Sequence, residues 1–296
     1  MTAPLIASAS AKVNLTLRIL GRRADGLHEL ESLVVFAQVA DELNLVPGQP
    51  LALDVKGPLR GACGKPADNL VLKAARALAV HIPKLRLGHF ILFKRIPVAA
   101  GLGGGSADAA AALRLLAKAN GLTLDDSRVL AVAQESGADV PVCLEPRPRI
   151  MRGVGDVLSG PLELPPLAVV LVNPGVALAT KDVFGAFDVM QGDKKSPAPS
   201  KANLENNIPT ERDALLAYLG QQPNDLEAAA ISLQPAIGKV LAALRALPPC
   251  RLARMSGSGA TCFALCDSAA VAKAAAGSLR AKHPTWWIKA TALGGA

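Results

Sequence analysis

The chain has 296 residues, room for two domains at roughly 150 residues each. It is 51% hydrophobic and 19% charged, which excludes disorder, while 3% aromatic content excludes a stacking platform for single-stranded nucleic acid. The formal charge of +8 is scattered, with short clusters such as Arg22-Arg23 and Lys194-Lys195; that excludes a basic arm or membrane-surface helix and suits a basic surface or a polyphosphate substrate equally.

Residues 5–20 alternate, with Val13, Leu15, Leu17 and Ile19 on one face, and read as a long strand. Asp25-Gly26 supplies a turn into a second strand at 30–37, so the opening is a β-hairpin. Short strands follow near 41–46 and 51–55. Residues 69–82 repeat Leu70, Ala74, Ala77 and Leu78 at helical spacing, with Asp68 placed as N-cap. Residues 87–94 form another strand, and a glycine-rich segment leads to helices at 106–119 and 125–135. A strand and turn at 149–160 close this half.

The second half opens with a buried strand at 167–172, followed by helices at 180–189, 210–219, 225–232 and 236–247. A strand at 251–255, a Ser-Gly-Ser-Gly turn, a strand at 261–266, a helix at 268–282 and a strand at 285–291 complete it. This ββαβ tail points to an α+β sandwich. Residues 191–203 read as a polar, proline-containing loop. No charged segment precedes an apolar block at the N-terminus, and the stretch Ile96–Leu113 holds Pro97, four glycines and Asp108, so neither a signal peptide nor a membrane span is expected. Five cysteines without a CxxC pair read as reduced thiols of a cytoplasmic protein.

The segment Pro97-Val-Ala-Ala-Gly101-Leu-Gly103-Gly104-Gly105-Ser106-Ala-Asp108 carries the most chemistry. Glycines let a backbone approach a ligand closely, and a helix start adds unpaired N–H groups and partial positive charge, so a strand–glycine loop–helix junction suits a phosphate chain. Ser106 stands where an N-cap belongs, and its hydroxyl can serve the helix backbone or a metal ion. No Lys follows the glycines as a P-loop requires, GxGxxG fails because Ser106 stands three positions after Gly103, and the HRD and DFG signatures of protein kinases are missing. From the residues alone, Asp139 in Gly-Ala-Asp-Val-Pro is a turn residue or a base. Lys12 is a solvent-facing strand residue or a catalytic cation, and His28 is a turn histidine or a ligand group.

Separated motifs then recur along nearly the whole chain: Ser10-Ala-Lys12-Val-Asn14-Leu, Asp25-Gly26-Leu-His28, Asp68-Asn69-Leu70, Gly101 to Ala110, Gly137-Ala-Asp139-Val-Pro141, Gly153-Val-Gly155, Asn224-Asp225-Leu226-Glu227 and Met255 to Phe263. In these the sequence resembles the GHMP kinase superfamily, whose phosphate loop reads PxxxGLGxS/GS. It is most similar to members of the non-mevalonate isoprenoid route that phosphorylate a cytidine-diphosphate-linked alcohol. The resemblance implies a two-domain α+β fold. A ribosomal-S5-like N-terminal domain would span 1–160 and a ferredoxin-like C-terminal domain 161–296, with the active site in the cleft between them.

The same resemblance implies that Asp139 accepts the acceptor hydroxyl's proton, with Lys12 as its catalytic partner. ATP, the phosphoryl donor, would lie on Pro97, Gly101, Leu102, Gly103, Gly104, Gly105, Ser106 and Ala107, with Asn69 near the base. Asn14, His28, Val154 and Phe184 would hold the cytidyl substrate; Leu27 stands where the family commonly has Tyr. Mg²⁺ is the expected metal, with Ser106 as its candidate protein ligand. The expected partners are ATP and the cytidyl-diphosphate substrate alone, without nucleic acid or membrane, in a monomer or weak homodimer. The alternatives are a GHMP kinase for another small alcohol and a non-catalytic nucleotide-binding regulator; retention of both Lys12 and Asp139 opposes the latter.

Overall fold

A computed structural model describes residues 3–192, 208–248 and 250–294. The expected loop at 191–203 falls, from 193 on, outside the described residues. The chain divides into two units by contact. One comprises Met1–Lys12, Val39–Val98 and Gly103–Pro146; the other comprises Val13–Gln38, Ala99–Leu102 and Arg147–Ala296.

In the first unit β5 (Gly88–Phe93) pairs antiparallel with the end of β3 (His28–Pro47), from Glu42↔Phe93 to Pro47↔Gly88, and parallel with β4 (Ala52–Lys56). On β5 the buried and half-buried positions alternate, so Phe90 and Leu92 face the core, and Lys94 just beyond the strand continues the inward face. Helices α1 (Leu70–His81), α2 (Gly104–Asn120), α3 (Ser127–Ser136) and the short α4 (Val140–Leu144) pack on one another. The core of α2 is almost entirely alanine and leucine, Ala109 to Leu113 being wholly buried, and small side chains let neighbouring helices come close.

In the second unit β3 pairs with β2 (Arg18–Arg22) as the expected hairpin, His28 opposite Arg22, and with β6 (Arg149–Gly153), Leu30 opposite Gly153. Beyond Ala37↔Leu293 the sheet continues antiparallel through β11 (Trp287–Leu293), β8 (Leu167–Asn173), β10 (Cys262–Cys266) and β9 (Cys250–Met255). Helices α8 (Ala236–Arg245) and α9 (Ala269–Lys282) cover these strands, and α5 (Thr180–Gln191) packs on α7 (Glu227–Leu233). The α+β class expected from the ββαβ tail is the class observed.

Three local expectations are corrected. The strand read over 5–20 stops at Asn14, because Leu17 exchanges backbone hydrogen bonds with Pro223 and Asp225 instead of continuing its ladder. The N-cap of α1 is Asn69, whose Oδ1 accepts from the Val71 N–H at 3.0 Å; Asp68 ends a short 3₁₀ turn and is exposed. The strands read at 30–37 and 41–46 are one strand of 20 residues.

Candidate functional site

Helix α2 begins two residues earlier than Ser106. Gly103, at φ +60°, is its N-cap, and the first intrahelical bond runs from the Ala107 N–H to the Gly103 carbonyl at 2.8 Å. Ser106 therefore sits in the first turn and is not the cap, and the N–H groups of Gly104, Gly105 and Ser106 have no intrahelical acceptor, as at any helix start. Gly105 is exposed and Ser106 half-buried, whereas Ala107 is buried. A Cβ on Gly105 would stand 3.4 Å from Leu70, which brings the Asn69 cap alongside this first turn.

Beside the same turn the Lys12 ammonium donates to Asp139 Oδ1 at 2.8 Å, with the lysine side chain 6% and the aspartate side chain 32% exposed. Lys12 is thus not the solvent-facing residue of an amphipathic strand. It is buried near the end of β1 (Leu5–Asn14), and its charge is compensated by a carboxylate that still reaches solvent. Gly103 explains the proximity. A Cβ there would lie 3.3 Å from Lys12 and 3.7 Å from Asp139 Oδ2, and the left-handed φ is one that side chains rarely tolerate. Asp139 itself is the residue before α4, whose Cys143 is buried; burial first, and then the Asp139 charge, push that thiol up to about 12, so it is no nucleophile.

The preceding stretch, Ala99–Leu102, is held by the turn after β9. Ser256 Oγ donates to the Gly101 carbonyl at 2.8 Å, and the Thr261 N–H donates to the Ala100 carbonyl at 3.0 Å. A Cβ on Gly101 would collide with the Ser256 carbonyl, so this glycine is required sterically. Leu102 is wholly buried, and Pro97 is half-buried. Asn14 is also buried. Its backbone N–H donates to Ser256 Oγ at 3.1 Å and its side-chain amide to Ser32 Oγ at 2.7 Å, while Oδ1 faces the position a Gly257 Cβ would take, at 3.1 Å. The Asn224–Glu227 motif proves to be the brace of this turn: Asn224 donates to the Met255 and Gly257 carbonyls, and Glu227 accepts from the Met255 N–H.

A second group of side chains gathers where β3 starts. His28, its side chain 10% exposed, places Nε2 2.6 Å from Asp188 Oδ1 on α5 and stacks on Phe184, with ring centroids 4.7 Å apart and planes at 28°. Phe187 meets the same ring edge-on at 6.2 Å, and Arg22 reaches the other oxygen of Asp188 at 3.3 Å. Val154, just past the β6 residue paired with Leu30, gives its N–H to Asp156 Oδ1 at 3.0 Å. Leu27 is 52% exposed beside His28. Sequence reading missed Asp188 and Phe187; the signal was their i+4 and i+3 spacing from Phe184, which puts all three on one face of α5.

Among the described residues no group of three or more His, Cys, Asp or Glu could hold a metal ion, and no helix is long and apolar enough to cross a membrane. The five cysteines are free thiols.

Residues 69–145 match the family described as GHMP kinases N terminal domain, and residues 204–285 match GHMP kinases C terminal. Proteins named 4-diphosphocytidyl-2-C-methyl-D-erythritol kinase are similar over almost the whole chain. The one from Xanthobacter autotrophicus is 56% identical over 97% of this chain and 98% of its own. That from Methylobacterium radiotolerans is 57% identical over 96% and 97%. The crystal structure of a 4-(cytidine 5'-diphospho)-2C-methyl-D-erythritol kinase superposes with a TM-score of 0.76 at 34% identity, covering 99% of this chain and all (100%) of that one. An L. major mevalonate kinase, at TM-score 0.70 and 18% identity over 100% of this chain and 97% of that one, shares the fold alone.

Proposed function

Since the chain belongs to the GHMP kinase family, we propose that it transfers the terminal phosphoryl group of ATP to the C2 hydroxyl of 4-diphosphocytidyl-2-C-methyl-D-erythritol, a step of non-mevalonate isoprenoid biosynthesis. The products are the 2-phosphate and ADP. The single observation that carries the reading is the ion pair of Lys12 and Asp139 against Gly103, at the start of a helix whose first N–H groups have no intrahelical acceptor.

Phosphoryl transfer asks the protein mainly to position groups and neutralise charge. The N–H groups of Gly104, Gly105 and Ser106 supply donors and the α2 dipole supplies positive potential for the phosphate chain. Pro97, Gly101, Leu102 and Ala107 shape the backbone around them, and Asn69 and Leu70 flank the nucleotide. Asp139 orients the acceptor hydroxyl and takes its proton as the new P–O bond forms and the bond to ADP breaks. The Lys12 ammonium holds that carboxylate and screens the charge that gathers at the acceptor oxygen.

Magnesium keeps several waters and few protein ligands, which fits a helix start offering one hydroxyl, Ser106; among the described residues no group of three or more His, Cys, Asp or Glu could hold a metal ion. The ion would neutralise phosphate charge there. His28, fixed by Asp188 and Phe184, and the backbone of the Gly-Val-Gly segment around Val154 form the cytosine-recognising group, and Asn14 fixes the strand that presents Lys12. We assign the working protein to the cytoplasm, with ATP and the cytidyl substrate as its partners, as a monomer or weak homodimer of two domains, 1–160 and 161–296.

Asp139→Asn, assayed with ATP and the cytidyl substrate, tests the reading. Turnover should fall by at least ~10²-fold with nucleotide affinity unchanged, the lower range for loss of a general base. Turnover close to wild type would remove Asp139 from the chemistry.

A further inference from the structure

Beneath the start of α2 lies a buried charge cluster that this chemistry does not use. Lys94 Nζ donates to Asp41 Oδ2 and to Asp108 Oδ2, both at 2.6 Å, and the side chains of Lys94, Asp41 and Asp108 are 2%, 0% and 3% exposed. Each residue comes from a different element. Asp41 lies on β3, Lys94 just beyond β5, and Asp108 on α2 four residues after Gly104. Asp41 also accepts, through Oδ1, the N–H of Ile96 at 2.9 Å and that of Arg95, so it grips the chain as it enters the glycine segment.

The cluster touches the helix start itself. Side chains in a helix lean toward its N-terminus, so Asp108 reaches back along the face of Gly104. A Cβ on Gly104 would lie 3.3 Å from Lys94 Nζ and 3.2 Å from Ile96. Gly104 is therefore a glycine because the ammonium and its neighbour occupy the space below it; its missing side chain would point into the protein.

We propose that Asp108 and Lys94 are positioning residues, which fix the backbone of Gly103 to Ser106 at the geometry that binds a phosphate chain. The proposal rests on the reading of that segment as the phosphate cradle. Ion pairs this deeply buried contribute little net stability against a well-packed apolar alternative, but they fix one arrangement of the elements that supply them. Here those elements are the two ends of the glycine segment. Removing Asp108 leaves the ammonium with one partner and frees the first turn of α2 to shift. Losses in oriented binding follow from displacements of about 1 Å.

The test is steady-state kinetics of Asp108→Ala and Asp108→Asn, with thermal melting of each. Asn keeps an oxygen for Lys94 and Ala does not. The alanine variant should raise KM for ATP about tenfold with kcat and the KM for the cytidyl substrate within about twofold of wild type, and the asparagine variant should restore KM for ATP. Lys94→Gln weakens the same contact from the other partner and gives the same rise in KM for ATP if Asp108→Ala does not fold. An alanine variant with wild-type KM for ATP, or one whose only defect is a smaller folded fraction, overturns the proposal. Gly103→Val separates the two levels of the argument. If it abolishes ATP binding while Asp108→Ala does not weaken it, the cradle stands and the positioning role falls; if Gly103→Val binds ATP normally, both fall.

Discussion

The start of α2 and the cluster around His28 are built from different materials. The first is backbone, with N–H groups at a helix start, two left-handed glycines and charges buried beneath them. The second is side chains on a hairpin and one helix face, with Arg22 58% and Asp188 32% exposed. A backbone site tolerates almost no substitution, because any added atom displaces the chain. A side-chain site loses only what each group contributes. On the proposed function, the first should thus fail sharply and the second by degrees.

Gly103→Val should break the first region most completely. A β-branched residue at φ +60° is strained, and its Cβ presses on Lys12, so ATP affinity by calorimetry should fall at least ~10-fold and turnover further. At the ring side, His28→Ala should raise KM for the cytidyl substrate about tenfold, the worth of one hydrogen bond with its stacking contact, and leave KM for ATP unchanged. Asp188→Asn, which keeps an acceptor for the ring N–H but removes the charge, should raise it about threefold. Equal effects of His28→Ala on both substrates would erase the distinction between the regions.

The smallest effect is on stability and has a pH signature. Burial first, opposed by the Lys94 charge and reinforced by that of Asp41, pushes the Asp108 carboxyl up to about 7 from its ordinary value of 3.8. Between those values the unfolded chain releases this proton and the folded chain keeps it. The native state therefore loses stability as pH rises from about 4 to about 7, and the loss is complete above that. Lys94 stays charged throughout: burial pushes it down, but the two carboxylates outweigh this and hold it above its usual value. The melting temperature of Asp108→Asn should match wild type near pH 4 and exceed it by a few degrees at pH 8. A constant difference across that range would contradict this assignment.

What was legible in the sequence follows the same divide. Strand alternation, helix spacing and the run of glycines are local signals, and they located β5, α2 and the segment between them. The pairing of Lys12 with Asp139 spans 127 positions, and that of His28 with Asp188 spans 160; no local pattern holds such contacts. Resemblance to a family supplied the first pair and left the second unnoticed. Lys94 and Asp108 were legible in principle. One lies on the inward register of an alternating strand and the other among consecutive buried alanines, and a charge in either place demands a partner. The early start of α2 was hidden because glycines are poor helix formers; here the first helical position is glycine because Lys94 and Ile96 crowd it.

A crystal structure of the protein with a non-hydrolysable ATP analogue and the cytidyl substrate tests the central claim most directly. The account predicts the terminal phosphate on the N–H groups of Gly104 to Ser106 and the C2 hydroxyl oxygen within about 3.2 Å of an Asp139 carboxylate oxygen. A phosphate chain bound away from the start of α2, or an acceptor oxygen remote from Asp139, would contradict it.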